Sequence, residues 1–106
     1  MDFSSNLLIS SIFFNIVTAV SLLILFIYEQ GYEVTLGDAW ADSGHSQNSC
    51  HYIRLAIDLN LFYNGKYLIE TKYHFQFGLF WESLGGSWGG RWGDGNHYSL
   101  SHNGRK

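Results

Sequence analysis

The chain has 106 residues and a net charge of −3 from 6 Lys+Arg and 9 Asp+Glu, with 46% hydrophobic and 14% charged residues. That length holds one small domain and excludes a multi-domain enzyme; the low charge content excludes a disordered polyelectrolyte. No basic cluster supplies the phosphate attraction that nucleic-acid binding needs, so nucleic acid is excluded as a partner, and the single cysteine, Cys50, leaves a metal as the only internal staple.

From Leu7 to Tyr28 there is no charged residue, and the only polar interruptions are Ser10, Ser11, Asn15, Thr18 and Ser21. As a helix this stretch would span about 33 Å, close to the roughly 30 Å of a bilayer core. Its apolar residues fall on every face, which favours a membrane span or uncleaved signal-anchor over a core helix. No Lys or Arg flanks it, so neither a secretory n-region nor a positive-inside cue accompanies it. The organisation expected is therefore a hydrophobic N-terminal helix in residues 1–30, a possible membrane contact through residues 7–28, and a folded domain in residues 31–106.

Beyond Gly31, Tyr32 to Leu36 reads as a strand and Gly37 to Ser49 as a polar loop. Arg54 to Phe62 alternates as a strand, with Leu55, Ile57, Leu59 and Leu61 on one face and Ala56, Asp58, Asn60 and Phe62 on the other. Asn64-Gly65 suits a type I′ turn, so Lys66 to Ile69 should return antiparallel. Phe75 to Leu84 fits a short amphipathic helix stopped by Gly85-Gly86. Six of the chain's 12 glycines fall between Gly85 and Gly95, marking tight turns and close backbone approach, and Asn96 to Leu100 reads as a last strand. The fold class expected is α+β, a small antiparallel sheet with flanking helices, preceded by the hydrophobic helix.

The chemistry concentrates in His51, Asp58 and the run Asp94-Gly95-Asn96-His97. Each residue alone has an ordinary structural explanation. Together, two imidazoles and one carboxylate make a zinc ligand set with a position left for water, and a carboxylate three residues before the last ligand is placed to act as general base. His45, His74 and His102 lack partners at ligand spacing and read as surface residues. Glu82 reads as part of a solvated face, and Arg91 as a cap on the glycine-rich loop or a solvated side chain. Trp81, Trp88 and Trp92 read as core and loop packing, with a sugar-stacking platform as the alternative. Cys50 reads as a small buried residue, with a surrogate ligand as the alternative.

The stretches SCHYIRLAIDLNLFYNGKY and FWESLGGSWGGRWGDGNHYSL resemble the phage-type M15 peptidases, zinc endolysins related to D-alanyl-D-alanine carboxypeptidases and L-alanyl-D-glutamate peptidases. The SxHxxxxAxD motif of that family reads here from Ser49 through His51 and Ala56 to Asp58, and its DxxH motif reads Asp94 to His97. The resemblance implies zinc held by His51, Asp58 and His97, with Asp94 as catalytic base. It also implies bacterial peptidoglycan as substrate, cut beside a D-residue by a phage- or prophage-encoded protein, expected as a monomer.

Two departures from the family pattern stand out. The arginine that family members place after the GYE-T-G strand corresponds to Ala41, so Arg54 or Arg91 is the substitute candidate for substrate binding, Arg54 being preferred because Arg91 reads as a loop cap or solvated side chain. A catalytically degenerate, membrane-anchored wall-binding protein is the rival reading. Where the family has an amphipathic helix packed on the sheet, this chain has the apolar stretch before Tyr28; a domain without that helix would be marginal unless zinc contributed to folding.

Overall fold

The structure, a computed structural model, describes residues 15–37 and 56–100. In chain order these form α1 (Ile16–Glu29), β1 (Glu33–Leu36), β2 (Ala56–Tyr63), β3 (Lys66–Leu68), a 3-10 turn (Thr71–His74), α2 (Phe75–Ser83), β4 (Ser87–Trp88), a second 3-10 turn (Gly89–Trp92) and β5 (His97–Ser99). The described strands make one antiparallel sheet, and the expected α+β class is what is found.

Helix α1 starts at Asn15, whose side chain accepts from the Val17 and Thr18 amides at 2.9 and 3.2 Å and so satisfies two otherwise unpaired N-terminal donors. It ends where Gly31 takes a φ of 87°, with the Tyr32 amide donating back to Ile27 O. Ala19, Leu23 and Ile27, spaced four apart, form one stripe that is at most 1% exposed. Phe26 extends the contact by stacking on Phe80 at 4.4 Å and meeting Phe77 edge-on at 5.9 Å.

The membrane span expected over Leu7–Tyr28 is met differently. Its residues 16–28 belong to a 14-residue helix whose stripe is part of the same core as the sheet and α2, and no helix among the described residues is long and apolar enough to cross a membrane. Residues 7–14 lie outside the described residues. Apolarity on every face leaves Val17 and Leu25 exposed at 70% and 56%, because among the described residues one stripe has the sheet and α2 to pack against.

Strand β2 organises the sheet. One edge pairs with β1, from Leu36↔Leu59 to Glu33↔Phe62. The other edge is divided: Ala56 to Asp58 pair with β5, and Leu61 to Tyr63 pair with β3. The β2–β3 reversal uses Asn64 at φ 49° and Gly65 at φ 76°, the left-handed pair that a type I′ turn requires. Ile57, Leu59 and Leu61 face the helices and join Leu68, Phe77, Trp81, Trp88 and Tyr98 in the core, while Asp58, Asn60 and Phe62 point to the opposite face.

Between α2 and β5 the glycine-rich segment contains more than turns. It holds β4, paired with β5 through Ser87↔Ser99 and Trp88↔Tyr98, followed by the second 3-10 turn. Two indoles fasten it: Trp81 Nε1 donates to Ser99 O at 2.9 Å, and Trp88 Nε1 donates to Gly95 O at 2.8 Å.

Candidate functional site

The β2–β5 register sets Asp58 directly opposite His97, so both side chains leave the sheet on the face away from the helices. Asp58 Oδ1 lies 3.7 Å from His97 Nδ1. His97 is only 4% exposed, and its ring is 5.8 Å from that of Trp92. The next residue, Tyr98, points the other way into the core, where it is fully buried. β5 thus carries a polar function on one face and a packing anchor on the other, which fixes His97 through its neighbour.

Asp94 sits three residues before His97, at the exposed tip of the loop entering β5. Its backbone is held although its side chain is exposed: the Asp94 amide donates to Gly89 O at 2.9 Å, and the His97 amide donates to Asp94 O at 3.2 Å. The residues on either side are tied to Thr71, whose hydroxyl donates to Gly93 O at 3.2 Å and accepts from the Gly95 amide at 3.1 Å. A polar depression of about 210 Å³ opens beside this loop, in the gap that β2 leaves between β3 and β5, and Asn60, Tyr67, Thr71, Asp94 and Asn96 help to line it.

Of the residues singled out from sequence, Asp58 and His97 are thus brought together, with Asp94 on the adjoining loop. His51, Arg54, Cys50, His45, His102 and Ala41 lie outside the described residues. Among the described residues no group of three or more His, Cys, Asp or Glu side chains forms a metal cluster. The donor chemistry of the Asp58–His97 pair nonetheless suits zinc. Two ligands each about 2.1 Å from a tetrahedral ion lie roughly 3.4 Å apart, close to the separation seen here.

Three expectations are corrected. His74, read as a surface residue, is 1% exposed and shares a 2.8 Å hydrogen bond between Nδ1 and Tyr98 Oη, because the first 3-10 turn aims it into the core. Burial lowers its pKa from 6.5 to about 4, so the imidazole is neutral, and the same burial pushes the Tyr98 phenol up. Glu82 is not merely solvated, and Arg91, exposed as one of its two expected placements had it, is tied to it. Arg91 Nε and Nη2 bond the two Glu82 carboxylate oxygens at 2.8 and 2.6 Å, a fork that ties the second 3-10 turn to α2 and holds the Glu82 carboxyl below its ordinary pKa. Trp81 and Trp88 are core residues as expected, but Trp92 is 45% exposed beside His97.

Thr71 is the residue that sequence reasoning missed. In the run Ile69-Glu70-Thr71-Lys72 it belongs to no spacing pattern, and its two loop contacts arise only on folding.

A family model described as D-alanyl-D-alanine carboxypeptidase, of the M15 peptidases, matches residues 43–100, which include β2, the glycine-rich segment and β5. No curated protein and no solved structure matches the chain.

Proposed function

The chain belongs to the D-alanyl-D-alanine carboxypeptidase family of M15 peptidases, and from that premise we propose that it is a zinc-dependent peptidase of bacterial peptidoglycan, endolysin-like, cutting a stem-peptide bond next to a D-amino acid. The observation that carries the reading is the cross-strand pair of Asp58 and His97 with Asp94 exposed on the loop that enters the same strand. In this reading His51, Asp58 and His97 hold the zinc, and Arg54 contacts the substrate. When bound, zinc polarises a carbonyl and acidifies water, the chemistry that peptide hydrolysis at neutral pH needs.

The chain's own groups do the rest. Asp94, a solvent-facing carboxylate on a held backbone, takes the proton from the attacking water and returns it to the departing amine. The β2–β5 register keeps Asp58 and His97 side by side on one face of the sheet, so the two would be presented together to the ion. The depression beside Asp94 offers room for an extended peptide segment along the gap between β3 and β5.

The test is mass spectrometry of soluble fragments released from purified peptidoglycan by the zinc-loaded chain, with Asp94→Asn alongside. The substitution should leave zinc content intact and lower turnover by about 10²- to 10⁴-fold, the usual worth of general-base assistance. Fragment masses identify the bond. Wild-type turnover in Asp94→Asn refutes the base, and no release by the folded, zinc-loaded wild type favours a wall-binding protein that has lost catalysis.

A further inference from the structure

We infer that Thr71 is a positioning residue for Asp94, acting through the two residues that flank it; the inference rests on the reading of Asp94 as base. A single hydroxyl grips the loop on both sides of the carboxylate, donating to Gly93 O and accepting from the Gly95 amide. Gly95 is also held from its other end by the Trp88 indole on its carbonyl, at 2.8 Å. The approach is close: a Cβ on Gly95 would lie 2.5 Å from Thr71 Cα and 3.0 Å from Thr71 Oγ1. Gly95 is buried, whereas Asp94 between the two gripped residues is exposed.

This arrangement fits a base that must keep its place without being buried. A carboxylate packed into the protein would be desolvated and its pKa raised. One left on a free loop would sample many positions, and a displacement near 1 Å can cost about 10²-fold in rate. Fixing the backbone on either side leaves the carboxylate open to solvent while restricting where it can be. Thr71 opens the 3-10 turn that leads into α2, and that turn is itself locked by His74 on Tyr98, so the clamp is anchored in the core.

The experiment compares Thr71→Val, which keeps the shape and removes the hydroxyl, with Thr71→Ser, which keeps the hydroxyl, in the zinc-loaded full chain acting on purified peptidoglycan. Thr71→Val is expected to lower kcat by about 10- to 100-fold with KM and zinc content unchanged, and Thr71→Ser to restore most of the loss. In an Asp94→Asn background the Val substitution should lower the residual rate no further, because the group it positions is gone. Wild-type kcat in Thr71→Val, or an equal loss with and without Asp94, overturns the inference. Neither result resembles failure of the parent reading, which shows as full turnover in Asp94→Asn alone or as no release by the wild type. Amide exchange in the unmodified protein gives a test that no folding defect can obscure: Gly95 N–H should be strongly protected, and exchange at the free-peptide rate overturns the clamp.

Discussion

The β2–β3 hairpin and the glycine-rich stretch from Gly85 to Gly95 both reverse the chain with glycine, yet their glycines answer to different neighbours. At Gly65 an added Cβ would meet nothing within 4 Å, and the residue is needed only for its φ of 76°. In the second region the need is for space. A Cβ on Gly90 would run into the Trp88 ring, one on Gly86 into Trp81, and one on Gly89 into the Asp94 carbonyl and the His97 side chain. The hairpin is thus specified by local backbone preference, and the site region by interlocking of distant segments. Damage to the first should cost stability alone; damage to the second should reach the candidate catalytic groups.

The largest expected effect on stability tests the anchor of the site region. Burial sets the pKa of His74 at about 4 in the folded chain, against 6.5 ordinarily. The unfolded chain therefore binds the proton first as pH falls. The stabilisation from this group is complete above pH 6.5 and is lost progressively down to pH 4, by about 3 kcal/mol in all. Urea unfolding at about pH 7 and about pH 4.5 should show most of that difference, and His74→Gln should flatten it. Equal stability at the two pH values would mean that His74 is not held neutral in the core.

A direct contrast between the regions comes from two alanine substitutions. Gly89→Ala puts a methyl against backbone and the base of His97, so it should cost about 1–3 kcal/mol and lower peptidase turnover in the fraction that remains folded. Gly65→Ala should cost about 1 kcal/mol through its positive φ and leave turnover per folded molecule unchanged. Thermal melts paired with turnover measurements separate the outcomes. If Gly65→Ala reduced turnover as much as Gly89→Ala, the division between a locally specified hairpin and an interlocked site would not hold.

Much of the architecture was legible because it rests on short-range rules. Asn64-Gly65 announces its turn, the alternation from Ala56 to Phe62 assigns Asp58 to the face opposite the aliphatic residues, and Gly85 ends α2. The three-residue spacing of Asp94 and His97 likewise marks them in the linear chain. Less was legible where a residue's neighbour lies far along the chain. Leu7–Tyr28 offers apolar residues in every direction, and only the presence of a sheet and of α2 decides that Ala19, Leu23 and Ile27 are the buried ones.

His74 and Thr71 were invisible for the same reason. A polar residue that belongs to no repeating pattern carries no periodic signal, and its value comes from Tyr98 in one case and from Gly93 and Gly95 in the other. Sequence by itself determined β1, β2, β3 and β5, the Asn64-Gly65 turn and the residue types able to do hydrolytic chemistry, since backbone preference and side-chain chemistry are properties of the residue and its nearest neighbours; β4 within the glycine-rich segment was not among them. Tertiary structure alone decided which side of α1 is covered, that β5 sets His97 opposite Asp58, and what holds Asp94 in place, because each depends on contacts between segments that meet only when the chain is folded.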